Sequence, residues 1–200
     1  MERHDFKTIL FHSSWSLTLA SGLSYGLGLL RDRILTHTYG LSRTLDVFNA
    51  SFDLPDNLYE IMMGAMLSAA FLPIFAKQYD RTKQLGYRYA HQIMSWGLLL
   101  LMLVCIGFGI ALPLFTKILV PGFEPAAQVQ YILFTRILLI SPVLFGLSNL
   151  YGKMMLSFKE FLWYGLSPAF YNLGIVIGAA VLAPRFGPLG LVAGPLLGAL

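Results

Sequence analysis

The sequence predicts an all-α integral membrane protein, a polytopic helical bundle of five full spans and the start of a sixth. Three observations carry that expectation. Of 200 residues, 56% are hydrophobic and only 12% are charged, whereas soluble domains carry about 25% charged residues. Several windows exceed the roughly 18 apolar residues that mark a membrane-crossing helix. Lys and Arg concentrate between those windows, as they do in cytoplasmic loops. The net charge of +4 is therefore read as loop charge rather than as a nucleic-acid footprint.

Span one is expected from about Leu10 to Tyr39, with Gly40 as its stop. The charged start, MERHDFK, resembles a signal peptide, but the apolar run is too long for a cleaved one, so the span is retained. Ser42 is a good N-cap for span two, which runs to about Ala76 with Pro55 inside it. A basic loop follows with Lys77, Arg81, Lys83 and Arg88. Span three covers Ile93 to about Phe115, and Pro121-Gly122 then signals a turn. Span four covers about Val129 to Phe158, including Arg136 and Pro142, and a short loop holds Lys159 and Glu160. Span five covers about Leu162 to Leu182. After the turn at Arg185–Pro188, Gly187–Leu200 opens a sixth span but is shorter than the roughly 20 residues a crossing needs. The 200 residues are thus expected to form one membrane domain, most of a six-helix lobe from a longer protein. Loop charge places the N-terminus in the cytoplasm.

Charged residues inside the spans are the candidate functional groups. Eighteen uncharged residues, Ser13 to Leu30, lead directly into Arg31-Asp32-Arg33. Helical spacing puts Arg31 on a face with Leu17, Ser21, Ser24, Gly28, Leu35 and Thr38. Asp32 lies about 100° further round and Arg33 about 200°. Arg31, with Asp32 beside it, suits the bundle interior, whereas Arg33 suits the interface. In span two, Asp46, Asn49, Asp53, Asn57, Glu60, Gly64 and Ser68 form a second polar stripe, with Asp56 at its edge. A charge at the bilayer centre costs at least about 2.5–3.5 kcal/mol, so these carboxylates should face a hydrated cavity or pair with arginines such as Arg31 and Arg136. Blander roles stand beside these: Asp46 as a first-turn acid on the helix dipole, Arg31–Asp32 as a boundary ion pair, Arg136 as a snorkelling side chain. Pro55 frees the carbonyl of Ser51 as a further acceptor.

Other chemistry finds no support. Cys105 is alone in an apolar run, and His4, His12, His37 and His91 are scattered, so neither a disulfide framework nor a zinc site is indicated. Asn49-Ala50-Ser51 fits a glycosylation sequon but sits in an apolar helix. There is no nucleophile elbow, P-loop or dinucleotide fingerprint. No enzyme, metal or resident cofactor is expected, beyond a coupling cation or the membrane potential as a driving force.

Several segments, in order, resemble one family. They are Gly28-Leu29-Leu30-Arg31-Asp32, Tyr39-Gly40, Asp46, Leu54-Pro55-Asp56-Asn57 and the Ala65–Phe75 stretch AMLSAAFLPIF. Pro121-Gly122-Phe123, Thr135-Arg136-Ile137 and Ser167-Pro168 to Asn172 continue the series. Together they resemble the MurJ (MviN) family of lipid II flippases, in the group that also holds MATE exporters and Wzx-type flippases. The resemblance implies the N-terminal lobe of a two-lobe transporter around a cationic cavity. It implies a lipid-linked oligosaccharide, carried across the bacterial cytoplasmic membrane by alternating access, with Arg31 receiving its diphosphate. Membrane lipids and cell-wall synthesis proteins are the implied partners. Asp32, Asp46, Asn49, Asp53, Glu60 and Arg136 complete the candidate substrate-binding set. The chain departs from the family pattern at Tyr25, Tyr59 and Glu60, where arginines are common, and at Gly64, where a glutamate is. That acidic balance keeps a MATE-like cation-coupled multidrug exporter in view, and a non-transporting scaffold for cell-wall enzymes is a rival of another class.

Overall fold

The computed structural model describes residues 3–40, 42–68, 77–79, 81–157 and 161–200. Residues 69–75 of the small-residue signature, the predicted end of span two and the Lys159-Glu160 pair lie outside the described residues. Within them the secondary structure is entirely helical, without a strand. The chain divides into two compact units, one from residues 1–46 and 148–200, the other from residues 47–147.

In the first unit, helix α1 runs from Arg3 to Tyr39. Gly40 ends it: its φ is +55°, a conformation glycine adopts without steric cost, and its N–H closes onto the Thr36 carbonyl at 2.8 Å. Ala20 and Leu35 are buried and Ser24, Leu27, Gly28, Arg31 and Ile34 half-buried, an i, i+4, i+7 stripe. Ser21 and Thr38, expected on that face, are exposed. Helix α6 (Phe161–Ile177) packs along this stripe. It passes into a π-helical segment, Gly178–Leu182, then into the single turn α7 (Ala183–Phe186). Gly187, at φ +65°, reverses the chain into α8 (Pro188–Ala199). The reversal is tight because glycines face backbone: a Cβ at Gly194 would sit 2.7 Å from the Gly174 carbonyl oxygen and 2.8 Å from the Cα of Gly178. Small residues at such crossings let membrane helices approach closely.

The second unit takes in most of α2 (Arg43–Ser68). Ser42 caps this helix as predicted, its Oγ accepting from Leu45 N–H at 3.4 Å and its carbonyl from Asp46 N–H at 3.2 Å. The helix continues through Pro55. One face, Val47, Phe48, Ser51, Pro55 and Leu58, is buried. Leu58 packs with Leu101, Cys105 and Leu139 in an apolar core, so the lone cysteine is a packing residue. Helix α3 (Lys83–Leu119) has 37 residues, about 55 Å at 1.5 Å per residue. It exceeds predicted span three at both ends, and part of the predicted basic loop is its first turns. The turn at Pro121-Gly122 follows, closed by Phe123 N–H on the Val120 carbonyl at 3.1 Å.

Predicted span four is divided into α4 (Pro125–Leu138) and α5 (Ser141–Ser157). The cause is local: Pro142 has no N–H for the Leu138 carbonyl, and the Ser141 hydroxyl donates to that carbonyl instead, at 2.6 Å. Among the described residues, three stretches are long and apolar enough to cross a membrane: Lys83–Leu119, Pro125–Asn149 and Gly165–Phe186. The polar stripes dilute the hydropathy of α1 and α2.

Candidate functional site

Arg31 projects from the half-buried stripe of α1, its side chain 29% exposed. Its Nε donates to Asp32 Oδ1 at 2.9 Å, and its Nη2 lies 2.8 Å from the same oxygen. The length of the arginine side chain closes the 100° that separates neighbours on a helix. Its Nη1 donates to Oδ1 of Asn172, on α6, at 2.9 Å. The amide nitrogen of Asn172 in turn donates to the Ser24 carbonyl at 3.2 Å. Helical side chains lean toward the N-terminus, so the guanidinium lies over the turn that holds Gly28. A Cβ at Gly28 would stand 3.6 Å from Asn172 Nδ2, an ordinary van der Waals contact.

A guanidinium has five N–H donors. Nε and Nη1 each donate one hydrogen bond, and Nη2 stands at ion-pair distance from Asp32, so the terminal nitrogens keep N–H donors. Guanidinium donors match the oxygens of a phosphate or carboxylate. Asp32 keeps a 61% exposed side chain, and Arg33 is exposed, as the helical spacing requires.

On α2, Asp46, Asn49, Asp53, Asp56, Asn57 and Glu60 are all exposed, opposite the buried face. Asp46 stands 3.8 Å from Arg43, both more than half exposed, so the pair contributes little. The Asn57 amide donates to the Asp53 carbonyl at 2.6 Å. Tyr59 sets its ring against Phe145 with centroids 5.8 Å apart.

Arg136 has a different engagement. Pro113 lies inside α3 and has no N–H for the carbonyl four residues back, that of Gly109. Arg136 Nε, on α4, donates to that carbonyl at 2.8 Å. It borders an apolar groove of about 300 Å³ lined by Met102, Cys105, Ile106, Leu139, Ile140 and Val143. Its partner is therefore a backbone oxygen rather than Asp53 or Glu60.

Of the sequence-predicted residues, the structure joins Arg31 to Asp32 and spreads Asn49, Asp53 and Glu60 along one exposed helix face. Sequence reasoning missed Asn172 as a site residue. Its position in an apolar span was a signal, but its partners lie 141 and 148 residues away. No group of three or more His, Cys, Asp or Glu suited to a metal occurs among the described residues.

Long apolar helices and an arginine held by a carboxylate and an amide define a helical membrane protein. The chain belongs to the lipid II flippase MurJ family, whose family model matches residues 35–200. It is similar to a protein of Borreliella burgdorferi named "Probable lipid II flippase MurJ", 27% identical over 99% of this chain and 38% of that relative. Proteins named "Lipid II flippase MurJ" from Burkholderia cenocepacia and Thermosipho africanus are 26% and 25% identical, over 90% and 96% of this chain and 34% and 40% of theirs. The chain thus spans 34–40% of the length of these relatives.

Proposed function

We propose that this chain supplies the N-terminal lobe of a flippase that moves a lipid-linked oligosaccharide, lipid II or a close analogue, across the bacterial cytoplasmic membrane. The observation that carries the reading is Arg31: a half-buried guanidinium, oriented by Asp32 and Asn172, with N–H donors left on its terminal nitrogens. A guanidinium so held suits the diphosphate that links lipid to sugar. The exposed polar face of α2, with Asp46, Asn49, Asp53 and Glu60, lines the hydrated path, balances charge there and holds a coupling cation if one drives transport. Arg136 serves the Gly109 carbonyl that Pro113 leaves without a donor, rather than the substrate. Helices α1 and α2 cross the membrane with the three more apolar stretches, and the N-terminus is cytoplasmic. A second lobe, moving against this one, supplies alternating access.

The test is translocation of fluorescent lipid II in proteoliposomes holding the complete protein. Arg31→Ala is expected to lower the rate at least about tenfold, the loss of a charge-assisted contact. An unchanged rate would overturn the role of Arg31. Efflux of a cationic drug that depends on Asp53 and Glu60, with no lipid II movement, would replace the reading with an exporter.

A further inference from the structure

Asn172 belongs to neither the charged set nor the polar stripe, yet it is the residue through which α6 touches the arginine. Its carboxamide meets two fixed partners on α1. The Ser24 carbonyl can only accept, so the amide nitrogen must face it, at 3.2 Å. The carbonyl oxygen of Asn172 is thereby turned toward Arg31 Nη1, at 2.9 Å. Neither end can exchange without setting acceptor against acceptor at Ser24 and donor against donor at Arg31. Asp32 alone grips Arg31 along one edge through a single oxygen. That grip leaves the guanidinium free to pivot about the shared oxygen, and the bond to Asn172 fixes its plane.

From this we infer that Asn172 is a positioning residue: by fixing the plane of the Arg31 guanidinium it holds the remaining N–H donors in place for the diphosphate. The inference rests on the proposed role of Arg31. It also makes that placement depend on the packing of α6 against α1. A shift of α6 by one residue, about 1.5 Å along its axis, breaks the 2.9 Å bond and releases the guanidinium.

The experiment is a double-mutant cycle on the complete protein in nanodiscs, with binding of a prenyl diphosphate as readout and the prenyl alcohol as control. Asn172→Ala is expected to raise the Kd about tenfold in the parent and less than about twofold in an Arg31→Ala background, a coupling expected only of interacting residues. Asn172→Asp keeps the shape but opposes the Ser24 carbonyl and adds a second carboxylate to Arg31, so it should weaken binding more than Asn172→Ala. Equal losses from Asn172→Ala in both backgrounds would mean a purely structural residue and overturn the inference. Parent-like binding by Asn172→Asp would do the same. If instead Arg31→Ala binds the diphosphate as the parent does, the functional reading itself fails. The positioning inference fails alone if Arg31→Ala loses binding and Asn172→Ala does not.

Discussion

A proline within a helix leaves the carbonyl four residues back without its donor, and this chain supplies two such carbonyls with side chains. The Leu138 oxygen, unserved by Pro142, receives the hydroxyl of its neighbour Ser141 at 2.6 Å. The Gly109 oxygen, unserved by Pro113, receives Arg136 from another helix at 2.8 Å. Arg136→Leu should therefore destabilise the protein by about 1–3 kcal/mol, the usual cost of an unsatisfied polar group. In a Pro113→Ala background the restored N–H serves Gly109, and the same change should cost less than about half as much. Equilibrium unfolding in mixed micelles measures both values, and equal costs would refute the link. Gly28 gives a contrasting case: with 3.6 Å of clearance to Asn172 Nδ2, Gly28→Ala should fold normally and gain up to about 1 kcal/mol of helix propensity. At this scale the sequence announced the acceptors but not the donors. Pro113 is visible as a missing N–H, whereas that Arg136 fills the gap depends on how two helices pack.

At the scale of elements, the sequence was most legible where the signal is local. Ser42 as cap, Gly40 as stop and Pro121-Gly122 as turn all stand where the residues place them, because each acts within one helical turn. Span four stands as one apolar stretch, Pro125–Asn149, but the break in its helix was not legible, for the converse reason. Its hydropathy runs on unbroken while Ser141-Pro142 changes the backbone bonding beneath it. Near the end of span five, the π-helical step at Gly178–Leu182 carries no hydropathy signature. The close crossing of α6 and the π segment with α8 depends on absent side chains. Gly194→Ala drives a methyl to 2.7 Å from the Gly174 oxygen, and overpacking of this kind costs about 1–3 kcal/mol. Gly107→Ala has nothing within 4 Å and should be neutral or mildly stabilising. Comparing the two melting temperatures in one detergent separates the crossing from general helix propensity. Equal values would remove the close approach from the account.

For the molecule as a whole, composition settled the class, and the outward surface agrees with it. Along α3, Leu103, Ile106, Ile110, Leu114 and Ile118 are more than half exposed, a ridge suited to acyl chains. Trp96, 69% exposed, precedes that ridge where aromatic side chains meet the headgroups. In a variant with Trp96 as the single tryptophan, a quencher at lipid carbon 5 should reduce its fluorescence more than one at carbon 12. The reverse order would place the bilayer differently on α3. The bond between Arg136 and the Gly109 carbonyl has a consequence for biogenesis as well. A lone arginine at the centre of a helix costs at least about 2.5–3.5 kcal/mol to insert, and a bare carbonyl in hydrocarbon is costly too. Each helix carries the polar group that the other needs, and five residues, Val120 to Glu124, join them. If both helices span the bilayer, they should therefore leave the translocon most cheaply together, as a hairpin.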